Sequence, residues 1–465
     1  MDCPGRTRAT RIAETATSAS RRPASSCSAR SGRPVESRNS RSGSASRARI
    51  SITATIANSL AWTRGATISG PGTLALTAGS ASSIDSGAGG GFHVLSNVTL
   101  NNAGSVSYNV LSGNSQDLLL NNGAQFNNLS GGTLEFRSDV NVGATSAAGA
   151  FNNAGTVRKA AGTGTSGFDV AFNNTDGTLD SGTGTLGAGP GGTHTGSLTI
   201  VGNNVRFDHG THTFGDAIVV EGTLNLAGAT ANFSDASLAD TVNLTAGTMN
   251  IAAQQEVVAS GTFNWTAGAT VNGPGTLTLA QGSTANITSG SGGGFHVLSN
   301  VTLNNAGTAT YNVLSGNSQD LLLNNGAQFN NLSGGTFEFR SDANVGATSA
   351  AGTFNNAGAV RKAAGTGTSG FDVAFNNTDG TVDSGTGTLS MGPGGTHGGA
   401  LTLVGDRVLF DRGSHVVNGH VFGTLNLTGA TVEFGDSLVD GRLNLSGDSF
   451  TEFDLSYERC HSCGG

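Results

Sequence analysis

The residues best equipped for chemistry recur in two sets. Glu135, Arg137, Asp139, Lys159, Asp169, Asp176 and Asp180 return, 203 residues on, as Glu338, Arg340, Asp342, Lys362, Asp372, Asp379 and Asp383. If the fold brought two of these carboxylates to within about 5 to 10 Å of each other, they could share acid/base work on a polymer, with Arg and Lys holding an anionic substrate. An enzyme seldom needs its whole site twice in tandem, and charged residues make up only 12% of the chain, so solvated faces are the simpler expectation. No catalytic residue is assigned, and the chain is not expected to be an enzyme.

The remaining chemical candidates are weaker. His93 and His194 recur as His296 and His397, with no neighbouring Cys or second His at metal-ligand spacing, and His209 lies close to His212. Cys460-His461-Ser462-Cys463 is a single pair of thiols in a chain terminus and lacks the His that a haem signature places after the second Cys. Gly-rich runs at 162–169 and 189–194 carry neither a following Gly-Lys-Ser/Thr nor a repeated calcium nonapeptide. No metal and no cofactor is expected.

Charge and thiols divide the chain. The first 50 residues contain 11 Arg against Asp2, Glu14 and Glu36, while the chain as a whole has a formal net charge of -8, so the remainder is strongly acidic. Residues 1–50 are too polar to offset ordering entropy and are expected to be a disordered Arg/Ser-rich tail. They have no aromatic residues for base stacking, and no nucleic acid is expected as a partner. Cys3 and Cys27 lie in this tail and the other two cysteines in the short tail 460–465, so no disulfide framework supports the body. A cysteine-free body suits a chain that crosses a membrane unfolded, and a cytosolic repeat protein could equally lack cysteines. Yet the tail has no apolar segment of the kind a signal peptide needs, which points to a start or signal lying elsewhere or to a fragment. No stretch approaches the ~18 apolar residues of a transmembrane segment.

The elements that must position these groups are repeats. Trp62 to Arg206 recurs at Trp265 to Leu409 without a gap, and from Gly91 to His194 roughly nine positions in ten agree. The tandem blocks run from about 62–233 and 265–434, within a body at 51–459. Inside each block lies a shorter period: Leu100-Asn101-Asn102-Ala103-Gly104, then FNNLSGG from Phe126, FNNAG from Phe151 and FNNTDG from Phe172, whose starts are 26, 25 and 21 residues apart. One apolar residue, an Asn pair and a Gly describe a short strand entering a turn, because Asn and Gly tolerate the left-handed backbone. Such a period is too short for a propeller blade and contains no helical part.

The expected fold is all-β, a right-handed parallel β-helix (β-solenoid), with ~18 turns stacked about 4.8 Å apart. Phe, Leu and Val should line its interior. Asn101, Asn127, Asn152 and Asn173, with Asn304, Asn330, Asn355 and Asn376, are expected to stack their amides into a structural Asn ladder; the alternative is that they are ordinary surface turn residues. Flat Thr arrays for ice or crystals would need a regular Thr-x-Thr on every turn, which the sequence does not show.

The FNNxGTV and GTLNL segments resemble those of filamentous haemagglutinins and autotransporter passenger domains, over roughly residues 55–455. The resemblance implies a secreted or bacterial cell-surface adhesin, with a glycan or other cell-surface ligand and outer-membrane secretion machinery as partners. It departs from those families in having neither a recognisable secretion domain nor a C-terminal barrel. Polysaccharide lyases and glycosidases also use parallel β-helices, and a carbohydrate-active enzyme is the alternative function.

Overall fold

A computed structural model describes residues 10–11, 53–63, 65–86, 91–110, 116–215, 218–266, 268–289, 294–313 and 319–453. The rest of the Arg-rich tail and the Cys-containing tail at 460–465 lie outside the described residues. The protein is an all-β parallel β-solenoid of about 17 turns, and the described residues include no helix. None is therefore a helix long and apolar enough to cross a membrane. The chain forms two compact units, one of residues 1–173 and 182–186, the other of 174–181 and 187–465.

Over most of the described residues each turn consists of three short strands, each pairing with the strand three further on; beyond Gly394 strands merge, and Gly394–Val404 pairs directly with the long strand Ser414–Thr428. One such ladder in the first unit runs Thr73–Leu76, Thr99–Asn102, Gln125–Asn128, Ala150–Asn153, with Leu74, Leu100, Phe126 and Phe151 in register. The second unit has the same arrangement in Thr276–Leu279, Thr302–Asn305, Gln328–Asn331, Thr353–Asn356 and Ala374–Thr378. Pairing is parallel throughout these ladders, as a winding sheet requires and a stack of hairpins would not.

A four-residue pattern explains the strands. In Thr223-Leu-Asn-Leu226, Thr241-Val-Asn-Leu244 and Thr276-Leu-Thr-Leu279, positions 1 and 3 are partly exposed and positions 2 and 4 buried. Alternation follows from the two-residue period of a strand, and the β-branched Thr suits the outer face. Position 2 builds the core. Phe126 stacks on Phe151 with ring centroids 4.8 Å apart, and Phe151 on Phe172 at 5.9 Å. Phe329, Phe354 and Phe375 do the same at 4.8 and 5.9 Å, with Phe371 wedged against Phe354 at 4.6 Å.

The turns obey the same close stacking. A Cβ on Gly149 would sit 1.9 Å from the carbonyl oxygen of Ala124 one coil earlier, and one on Gly352 would sit 1.9 Å from that of Ala327, so neither position admits a side chain. Asn97, Asn122 and Asp176 adopt positive φ, as do Asn300, Asn325 and Asp379 at the duplicated positions. Asn and Asp accept that conformation at lower cost than other side-chain-bearing residues.

Candidate functional site

The Asn-Asn-x-Gly turns supply two amide columns, not one. The first Asn of each pair is partly exposed. Asn127 Nδ2 donates to Asn101 Oδ1 at 2.8 Å, Asn152 to Asn127 at 2.7 Å and Asn173 to Asn152 at 2.8 Å. In the second unit Asn330 donates to Asn304 at 2.9 Å, Asn355 to Asn330 at 2.7 Å and Asn376 to Asn355 at 2.8 Å. All eight residues named from the sequence thus lie in two columns of four, in each of which the last three amides donate to the preceding turn.

The second Asn is buried, and its column runs the other way. Asn102 donates to Asn128 at 2.8 Å and Asn128 to Asn153 at 2.9 Å, while Asn305, Asn331, Asn356 and Asn377 are linked at 2.8, 2.8 and 2.9 Å, each amide donating to the following turn. Neighbouring columns therefore carry opposed amide dipoles, an attractive arrangement. The buried amide also closes the turn: Gly104 N–H donates to Asn102 Oδ1 at 3.1 Å and Gly307 N–H to Asn305 Oδ1 at 3.2 Å. That local bond is why the motif reads Asn-x-Gly after the first Asn. The Asn-x-Gly spacing carries the signal for this inner column, which the expected ladder of first Asn residues leaves out.

A shallow groove of about 370 Å³ runs along the outer column of the second unit, lined by Asn330, Asn355, Asn376, Leu332, Ala357 and Thr396. Leu332 and its duplicate Leu129 are both exposed. Further outer amides continue in other ladders of the same unit: Asn243 donates to Asn225, Asn264 to Asn243 and Asn286 to Asn264 at 2.6 to 2.8 Å, and Asn250 to Asn232 at 2.8 Å. These come from the Thr-x-Asn strands, whose regularity is hidden in the sequence by coils of unequal length.

The charged residues separate into a surface column, a buried lysine site and turn positions. Glu135 is in register with Arg158 and also pairs with Arg137 at 2.7 Å. Its duplicate Glu338, only 7% exposed, pairs with Arg340 at 2.7 Å and Arg361 at 2.6 Å. Lys159 and Lys362 occupy position 4 and are buried. Lys159 Nζ donates to Asp139 at 2.7 Å, Ser166 Oγ at 3.0 Å, and the carbonyls of Ala161 and Ser138 at 3.1 and 3.2 Å; Lys362 meets Asp342 at 2.7 Å. The Lys159 hydrogen bond holds the Asp139 carboxyl below its ordinary pKa. Asp169 accepts from Asn141 at 3.1 Å, and its duplicate Asp372 pairs with Arg412. Asp176 and Asp379 accept the backbone N–H of Ser197 and Ala400, and Asp383 that of Gly385. Asp180 also has an interaction partner.

The histidines differ from their sequence reading. The expected lack of a second His is overturned: His212 lies one coil after His194, with His194 Nε2 and His212 Nδ1 3.0 Å apart, and His397 and His415 repeat the pair at 3.1 Å. Parallel coils bring together residues 18 positions apart, which no local spacing rule covers. All four rings are buried, and Phe207 packs edge-on against His194 and His212 at 5.3 and 4.8 Å, as Phe410 does against His397 and His415 at 5.2 and 4.8 Å. His415 Nε2 donates to the carbonyl of Arg412 at 3.2 Å, leaving Nδ1 of the neutral ring as acceptor, so His397 donates from Nε2. Burial pushes His194 down to about 3 and His212 to about 4, and His397 down to about 3. His93 and His296 pack edge-on against Trp62 and Trp265. Among the described residues no three His, Cys, Asp or Glu side chains come together as a metal site.

Compared with known protein families and with curated proteins, the chain matches no family model and no curated protein.

Asn331→Ala should cost about 1 to 3 kcal/mol, because it strands the buried Asn305 and Asn356 amides, whereas Asn330→Ala, whose neighbours reach water, should cost under about 1 kcal/mol; denaturant unfolding of the two variants checks the difference. Folded-state pKa values below the unfolded 6.5 mean that the unfolded chain binds more protons as the pH falls. Stability should therefore be undiminished above about pH 6.5 and decline toward pH 3 to 4, by a few kcal/mol per pair. Thermal midpoints at pH 7.5 and 4.5 should converge in a His194→Phe/His397→Phe variant relative to the unaltered chain; an unchanged gap would remove the pairs as its cause.

Proposed function

We propose that the protein is a secreted or cell-surface adhesive and structural β-solenoid, whose repeated polar faces bind many equivalent groups weakly and gain strength by multivalency. The observation that carries this reading is the repetition of outward amides and hydroxyls in register on successive turns. The resemblance of the FNNxGTV and GTLNL segments to bacterial surface adhesins supports a location outside the cell, with a glycan or other surface group as the proposed ligand and outer-membrane machinery as the proposed export route. The carbohydrate-active alternative would rely on the charged columns. Its acid and base would have to be released from the ion pairs and backbone hydrogen bonds that Glu338, Asp342 and Asp379 make.

Microspheres coated with the full chain should adhere to bacterial and epithelial surfaces under flow, while the soluble chain should release neither reducing ends nor unsaturated products from a polysaccharide panel. Product release that disappears in Glu135→Gln/Glu338→Gln would establish the enzyme instead.

A further inference from the structure

One ladder of the second unit carries Thr and Asn in register over five turns, and the ladder through Thr211, Thr230, Thr248 and Thr270 carries a shorter such run. Thr223, Thr241, Thr262, Thr284 and Thr308 stand in register on five consecutive turns. Two residues along, Asn225, Asn243, Asn264, Asn286 and Thr310 form a second column, and Thr245, Thr266, Thr288 and Asn312 a third. The repeated word is Thr-x-Asn-x-Thr, not the Thr-x-Thr of an ice-binding array, and it is spread over coils of different length. Rows are about 4.8 Å apart and columns about 6.7 Å, the spacings of strands and of alternate residues.

Three features mark this face as a binding surface. First, it is uncharged: the outward positions of Thr223–Leu226, Thr241–Thr245, Thr262–Thr266, Thr284–Ser289 and Thr308–Val313 hold no Asp, Glu, Lys or Arg. The next strand on, Thr336–Phe339, ends the array with Glu338. Second, it is preorganised. Each Asn amide is tied to the one before at 2.6 to 2.8 Å, and Thr245 and Thr266 hydroxyls lie 3.1 Å apart, so the donors and acceptors that remain are held in place before any ligand arrives. Third, the coil itself does not demand it. The duplicated strand Ala81–Ser86 in the first unit has Ala81, Ser83 and Asp85 where the array has Thr284, Asn286 and Thr288, yet it adopts the same strand, with Ser82, Ile84 and Ser86 buried as Ala285, Ile287 and Ser289 are.

Resting on the adhesive reading above, we infer that this Thr-x-Asn-x-Thr face binds an uncharged, extended polysaccharide lying flat along the turns. The array offers hydroxyls and amides, each able to donate and accept, and no charge. A neutral polymer of hydroxylated rings complements it, whereas an anionic polymer would lose the hydration of its charges without an ion pair in return. The contact is flat and repeated, so affinity grows with the number of turns engaged, not from one deep pocket.

The test uses the full chain and two probes, microcrystalline cellulose and chitin. Thr266→Lys/Thr288→Glu puts opposite charges on neighbouring turns of the array, and Ser237→Lys/Val258→Glu does the same on Ala236–Leu238 and Glu256–Ala259, strands of that unit without the Thr-x-Asn pattern, where those residues are also in register. Both variants should keep the thermal midpoint of the unaltered chain. The unaltered chain should be retained on at least one probe, the array variant should lose about tenfold or more in retention, and the control should stay within about twofold. Equal loss in both variants, or full retention of the array variant, overturns the inference. So does thermal hysteresis in ice without polysaccharide retention, which would assign the face to ordered water. A chain that adheres to cells but to neither probe leaves the adhesive reading standing and removes this one; a chain that adheres to nothing removes both.

Discussion

Parallel stacking in register is the constraint from which the rest of this structure follows. Each residue meets the residue one coil before and one coil after, about 4.8 Å away, so a side chain must be compatible with its own kind. Amides satisfy that condition because each carries a donor and an acceptor. Phenyl rings satisfy it by stacking, as Phe329, Phe354 and Phe375 do. Like charges do not, and the column through Glu338 alternates to Arg361 and then Asp383.

Buried polar groups show the same rule at higher stakes. An amide inside the coil costs several kcal/mol unless it is bonded, and the inner Asn column bonds each member both to its neighbour and to the turn it closes. Among the described residues of the first unit Lys159 is the fully buried cation, and four oxygens surround its ammonium. The histidine pairs take the opposite course and stay neutral, sharing a hydrogen bond within an aromatic setting. Function, on this account, lies in what the outer positions are free to vary: the interior is fixed by self-stacking, while positions 1 and 3 carry Thr and Asn in one stretch and Glu and Arg in another.

The fold was legible because its repeat was short and chemically plain. An apolar residue, an Asn pair and a Gly could be read directly as strand and turn, and motif starts only 21 to 26 residues apart left little room for another architecture. The outer Asn columns were legible for the same reason. What escaped reading depended on coil length. His194 and His212, 18 residues apart, or Asn264 and Asn286, 22 apart, meet only once the turns are wound, and unequal loops hide which residues share a row. The charged residues looked like a cluster in the sequence because neighbouring coils contribute them; in the fold they separate into a surface column, a buried lysine site and turn caps.

Disulfide trapping between turns tests the register most directly. With the four native cysteines replaced by Ser, Thr245→Cys/Thr266→Cys joins register partners, whose Cα separation of about 4.8 Å is within disulfide range. Mild oxidation should cross-link this pair nearly completely and leave Thr245→Cys/Thr262→Cys, displaced by four residues along the same two strands, unlinked. Cross-linking of the displaced pair in preference to the aligned one would contradict the in-register solenoid and everything built on it.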